Sequence, residues 1–273
     1  MEAIMARTYE MTVILYAVSL VFYFIDYLYK YVKARRIAFW FVSAVWALQT
    51  FSLVLSIIET KSFPILSFFD GVFFYAWLLT TLSIILHCIA RVDLPVIFIN
   101  VLGFIFMTIY LFAPNEMTAD TKPLISEMLV MHIGFAMLSY VAFTLAFVFA
   151  LLYIILYRLL KQKKWTTMWS RLPSLQQMGT WMNYSLLVGV PLLFISLIMG
   201  VEWALVTLEQ FSFFDVKIFG SFILSIMYLI IILLHRSGKL VGMAYAKVQI
   251  YAFLLVVINY FLGSKLSNFH IWF

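Results

Sequence analysis

The sequence predicts an all-α polytopic membrane protein, a bundle of eight transmembrane helices with both termini on the extracytoplasmic side. Three observations carry this expectation. Mean hydropathy is +1.06 while 11% of the 273 residues are charged, a balance that a water-soluble domain does not hold. Apolar runs of about 20 residues, the length a helix needs to cross a bilayer, recur eight times along the chain. Basic residues alternate between the connecting segments: thirteen of the 18 Lys and Arg follow the odd-numbered spans, and five lie on the other face. The positive-inside rule then places both termini outside the cytoplasm.

The first span, about residues 11–30, is long and is followed by Lys30, Lys33, Arg35 and Arg36, so it reads as a retained span and not as a cleaved signal. Its one acid, Asp26, stands four residues before Lys30, the spacing of an i,i+4 ion pair on a helix. The second span covers about 37–58. The third, about 66–90, contains Asp70 near its start and His87 near its end, separated by about 25 Å of helix rise. Span four, about 94–113, carries Asn100, a side chain suited to hydrogen bonding between helices, as are Asn183 and Asn259. The loop 114–128 has a turn composition with Pro114, Asp120 and Pro123.

Span five, about 129–157, opens with His132. The segment 158–182 then gathers Lys and Arg with Trp165, Trp169 and Trp181. It is expected to lie along the cytoplasmic headgroups; positive-inside anchoring and a docking surface for a soluble partner are its two readings. Span six covers about 183–205. Span seven, about 214–234, separates Asp215 from His235 by about 30 Å. Span eight, about 244–263, precedes a tail bearing His270. Residues 1–273 are thus expected to form a single integral membrane domain, multi-pass in a cell membrane.

The remaining composition excludes several classes. The net charge of +6 sits mostly where anionic headgroups would meet it, so it calls for lipid and no nucleic acid. The single cysteine, Cys88, rules out an intrachain disulfide and a CxxCH haem-attachment motif. The sequence has no nucleotide loop, no HExxH and no serine with a plausible base beside it. No enzymatic activity is expected.

What remains is the histidines. Topology sorts all four into two pairs, His132 with His270 at the outer face and His87 with His235 at the inner face. Imidazole is a common axial ligand of haem iron, and two at one depth make a bis-histidine site. Ionisable residues in a bilayer are functional candidates by default. The alternative for each is a solvated histidine at a helix end.

Residues 200–220 read GVEWALVTLEQFSFFDVKIFG. The FFDVK segment, with Gly200 and Trp203 ahead of it, resembles the WWD region of the cytochrome c assembly family, where WSWDPKE is typical. Asp215 and Lys217 match that pattern. Phe214 and Ser212 stand in place of the tryptophans, Val216 for proline and Ile218 for glutamate. MHIGFAMLSYVAF (131–143) is similar to the family's histidine-bearing helix start, LLHR (233–236) to its transmembrane histidine position and NYFLGSKLSNFH (259–270) to its second outer histidine segment. LPSLQQM (172–178) and FPILSFFDG (63–71) resemble its cytoplasmic loop and its FPLSNLYES stretch. Together these cover most of residues 60–270.

The resemblance implies non-covalent haem b at the outer face, with His132 and His270 as axial ligands of the iron. Asp215, Lys217, Phe214 and Trp203 would surround it, with Lys217 as a partner for a propionate. His87 and His235 are candidates for a second, inner site, where only His235 has a family counterpart. Within the family the chain looks like a compact type, found in Gram-positive bacteria, that is implicated in controlling the abundance of glutamyl-tRNA reductase, directly or through a protease. A chain with paired outer histidines but without the tryptophans and the Pro-Lys-Glu run is expected to report haem. Transport of haem, or its delivery to c-type cytochromes, is the alternative.

Overall fold

The computed structural model describes residues 2–60, 63, 68–89, 93–112, 127–163, 171–207 and 215–266. These residues form eight helices: α1 Glu2–Tyr29, α2 Val32–Thr60, α3 Phe68–Ile89, α4 Asp93–Leu111, α5 Glu127–Lys161, α6 Leu175–Thr207, α7 Val216–Arg236 and α8 Gly242–Leu266. All eight are long and apolar enough to cross a membrane. Helices are the economical answer here, because each satisfies its own backbone polar groups where no water can.

Several helices start earlier than hydropathy alone suggests. α1 begins at Glu2, where its first turns are polar but helix-compatible, with Arg7 paired to Glu10 at 3.0 Å across one turn. The expected inner segment 158–182 is helical at both ends: α5 runs to Lys161 and α6 starts at Leu175. A reciprocal cap explains that start. Ser174 Oγ accepts from Gln177 N at 3.2 Å, and Ser174 N donates to Gln177 Oε1 at 3.0 Å, a capping box that satisfies two otherwise orphaned donors. Trp181 therefore does not lie in an interfacial loop. It belongs to α6 and stacks on Phe149 of α5, with centroids 5.8 Å apart. Trp165 and Trp169 lie outside the described residues.

The helices group into two compact units, residues 1–117 with 170–172, and residues 118–169 with 173–273. In the first unit α1 packs on α2 and α4, and α3 packs on the same two helices, so the four form a closed ring. Two indole hydrogen bonds tie α2 to α3: Trp46 Nε1 donates to Thr81 Oγ1, and Trp77 Nε1 to Thr50 Oγ1, both at 2.9 Å.

One buried ion cluster links α1, α2 and α4 of this ring at the α1 C-terminus. Asp26, 1% exposed, accepts on Oδ2 from Arg35 Nε at 3.1 Å and from Arg171 Nη1 at 2.8 Å. Arg35 also donates to Asp93 Oδ1 at 2.7 Å, and Arg171 Nη2 to the Asp26 carbonyl at 2.7 Å. The expected Asp26–Lys30 side-chain pair is corrected by this geometry. α1 ends at Tyr29, and Lys30 turns into the left-handed region at φ 53°. Its amide donates back to the Asp26 carbonyl at 2.8 Å as a helix cap.

The second unit is also a ring, with α5 against α6 and α8, and α7 against α6 and α8. Aromatic packing fills it. Phe143 stacks on Tyr228 at 4.1 Å and 6°, and Gly189 of α6 leaves the room that the Phe143 ring occupies, since a Cβ there would lie 2.7 Å from it. In the second unit, exposed side chains such as Phe219, Ile223, Ile226 and Ile230 on α7 form an apolar face suited to lipid.

Candidate functional site

The site is built where α5 enters the second unit. His132 is the first inward polar side chain of α5, and α6 receives it on a row of small residues. Ser196, Gly200 and Ala204 recur every four residues, which puts them on one face. His132 Nδ1 lies 2.6 Å from the Ser196 carbonyl oxygen and 3.0 Å from Ser196 Oγ. The Ser196 hydroxyl donates in turn to the His132 carbonyl at 2.8 Å. A carbonyl only accepts, so Nδ1 carries the proton and the neutral ring keeps its lone pair on Nε2. That is the arrangement by which metal-ligating histidines are oriented, with the second ring nitrogen donating to a backbone carbonyl.

Gly200 fixes the ring from below. A Cβ at this position would stand 2.5 Å from His132 Cε1 and 2.6 Å from Nδ1, so any side chain there evicts the imidazole. Trp203, one turn further along α6, is 7% exposed. A small-residue run on α6 forms the imidazole's seat. Ser196, which completes it, has no counterpart in the motifs read from the sequence.

α7 and α8 complete this end of the unit. Asp215 is the N-cap of α7, and its Oδ1 accepts from Lys217 N at 3.0 Å and Ile218 N at 3.5 Å. Its position in the family-like motif thus coincides with a cap that satisfies the first turn. Lys217 follows in that turn, within electrostatic range of His132, with Nζ 5.9 Å from the centre of the Tyr260 ring of α8. One turn deeper, Asn259 Nδ2 donates to Ser221 Oγ at 3.0 Å, and Gly220 makes room for Asn259, whose Oδ1 occupies the space of a Cβ. The structure thus sets Lys217, on the turn capped by Asp215, within electrostatic range of His132, with Trp203 one turn past Gly200 on α6. His270 and Phe214 lie outside the described residues.

The remaining two histidines belong to different units. His87 ends α3 in the first unit, with its ring stacked on Phe39 of α2 at 4.4 Å and 19°. His235 ends α7 in the second. Its Nδ1 donates to the Leu240 carbonyl at 2.8 Å, bracing the turn into α8, and its ring stacks on Tyr245 at 4.0 Å. It borders a cavity of about 370 Å³ whose wall includes Tyr153, Gln176, Thr180 and Asn183, all uncharged. Here too the carbonyl bond leaves the neutral ring's lone pair on Nε2.

Sequence comparison gives an independent account. Residues 65–270 match the family described as cytochrome C assembly protein. The protein HemX of Bacillus subtilis (strain 168) is 44% identical over 275 residues, spanning 100% of this chain and 99% of that protein. The protein HemX of Brevibacillus brevis is 34% identical over 265 residues, spanning 97% of each.

Proposed function

This chain belongs to the cytochrome c assembly protein family, and from that premise we propose that it is a haem-binding regulator of haem synthesis. It is a multi-pass bacterial membrane protein, similar along its whole length to two proteins called HemX. In this reading it binds one haem b non-covalently at the outer face of the membrane. His132 and His270 hold the iron, Lys217 meets a propionate, and Trp203 and Phe214 wall the ring.

The observation that supports it is the preset imidazole of His132. Its Nδ1 is bonded to the Ser196 carbonyl, Gly200 holds its ring in place, and its Nε2 lone pair is the ligating form. Held by two imidazoles, a haem iron would keep no open position, which would suit storage, sensing or electron transfer over oxygen activation. His132 is fixed on α5, and His270 follows α8 in the sequence, so filling the site would tie the two helices together.

The report must reach the cytoplasm, where Arg158 and Lys161 at the end of α5 and Lys163 after it, all exposed, offer a surface. We assign to that surface an influence on the level of glutamyl-tRNA reductase, exerted directly or through a protease. Such coupling requires that ligation favour one of two arrangements of the bundle, because tight binding alone shifts nothing. No catalytic step is assigned to the chain. His235 stays as a candidate ligand for a second, inner site, because its Nδ1 bond to the Leu240 carbonyl leaves Nε2 as the ligating atom.

The alternative is a haem transporter or an assembly factor for c-type cytochromes. Its basis is the matched family itself, while Phe214, Ser212 and Val216 stand against it by replacing the tryptophans and proline of the typical motif. Deleting the gene separates the two. A raised reductase level with intact c-type cytochromes is the expected result; a normal reductase level with c-type cytochromes missing would overturn the regulatory reading.

A further inference from the structure

The interior of the first unit is polar in a way that haem binding does not use. Along α1 the inward positions are Thr12, Tyr16, Ser19, Tyr23 and Asp26, spaced four, three, four and three residues apart. All are 0–3% exposed. The stripe covers about 21 Å of helix rise, most of the roughly 30 Å hydrocarbon core. Across the ring stand Gln49 and Ser52 of α2, Thr80 and Ser83 of α3, and Asn100 of α4, each no more than 1% exposed.

Part of this set is satisfied by protein. Thr12 donates to the Thr8 carbonyl at 2.7 Å. The Tyr16 hydroxyl lies 3.2 Å from both Thr80 Oγ1 and Asn100 Oδ1, in space that Gly103 leaves open. Asn100 Nδ2 donates to Ser83 Oγ at 2.7 Å. The rest of the stripe has no protein partner: Ser19 Oγ, the Tyr23 hydroxyl and Asp26 Oδ1, together with Gln49 Oε1 and Ser52 Oγ opposite. A buried polar atom left unpaired is costly, and one internal water makes about three hydrogen bonds to such groups. Ser19 Oγ, the Tyr23 hydroxyl and Asp26 Oδ1 follow one another along one stripe of α1 and define a hydration site.

We propose that the first unit holds a water-filled inlet that enters at Asp26 and runs along α1 to Tyr16, closed beyond it by the Thr12–Thr8 bond. Lines of polar side chains inside a membrane mark pathways for water, protons and ions. The entrance is defined by Asp26 and Tyr23 of α1, Arg35 of α2, His87 of α3, Asp93 of α4 and Arg171. The two arginines occupy Asp26 Oδ2, which leaves Oδ1 as the atom that meets the water. With His87 neutral, the two acids and two arginines balance, so the entrance carries no net charge and admits water and protons in preference to other ions. α1 and α2 precede residues 65–270, the part that matches the family, and the alignment with the HemX protein of Bacillus subtilis spans them too.

Radiolytic hydroxyl-radical labelling of the full chain in nanodiscs reads bound water directly. Tyr16 and Tyr23 should be oxidised at least five-fold faster than Tyr228, which is equally buried but stacked on Phe143. Labelling of both at the Tyr228 rate overturns the proposal. Openness is read separately in a Cys88→Ser background. Ser19→Cys should react with a small permeant methanethiosulfonate reagent, whereas Ala150→Cys, buried in α5, should not. Fast tyrosine labelling with an unreactive Ser19→Cys would mean sealed waters and would refute the inlet.

Discussion

Gly200→Ala is the sharpest perturbation of the histidine site, because its effect can be worked from two contacts. The added methyl would sit 2.5–2.6 Å from His132 Cε1 and Nδ1, about 1 Å closer than carbon atoms pack at their optimal separation. The ring is not free to swing away, since its Nδ1 is held by the Ser196 carbonyl and hydroxyl. Moving it strands a buried donor and a carbonyl, worth about 1–3 kcal/mol, and moving α6 instead costs about 1–3 kcal/mol of overpacking.

We expect a loss of roughly 3 kcal/mol, on the order of a hundredfold in the folding equilibrium. Gly134→Ala is the matched comparison, two residues from His132 on α5, where a Cβ meets nothing within 4 Å. It should be neutral or gain up to about 1 kcal/mol of helix propensity. Reversible unfolding of purified protein by dodecyl sulfate in mixed micelles, followed by circular dichroism, measures both. Equal stability of the two variants would refute the packing argument and with it the claim that Gly200 positions the imidazole.

Three further outcomes follow from other contacts. With haem added to detergent-purified protein, His132→Ala and His270→Ala should each turn a low-spin spectrum high-spin or abolish it, and an unchanged spectrum in both eliminates the proposed ligand pair. Arg171→Ala removes one of two cations from Asp26, and since breaking a buried ion pair costs about 3–5 kcal/mol, the midpoint of unfolding should fall sharply, with Arg171→Lys recovering little because it lacks the two-pronged donor. Reporter fusions placed after residue 163 and at the C-terminus should report opposite sides of the membrane; finding both on one side would undo the pairing of His132 with His270.

The eight spans were legible because hydropathy averages over a whole helix and tolerates local error. Helix ends were less so, since they depend on single side chains. Ser174 and Gln177 extend α6 backward through a two-bond cap, and no apolar run announces it. Asp26 shows the same limit in another form. Its i,i+4 neighbour Lys30 lies past the helix end, while its actual partners, Arg35 and Arg171, are 9 and 145 positions away.

Within the site, His132, Trp203, Asp215 and Lys217 could be picked from residue type and family resemblance. The seat of the imidazole could not, because Ser196 is 64 positions from His132 and looks like any other serine in an apolar helix. Asp215 reads differently once its geometry is known, as a cap whose carboxylate is already engaged by backbone amides.

The position of Arg171 in the chain has a consequence for biogenesis. Its guanidinium completes an ion cluster whose other members, Asp26, Arg35 and Asp93, all belong to the first four helices. During synthesis those helices are finished when Leu111 is made, and Arg171 follows some 60 residues later, or about 3–12 s at ordinary translation rates. For that interval the young N-terminal ring holds Asp26 against Arg35 alone. It therefore reaches its final electrostatic balance only after α5 has been synthesised, which makes the maturation of the first half of the protein wait on the second.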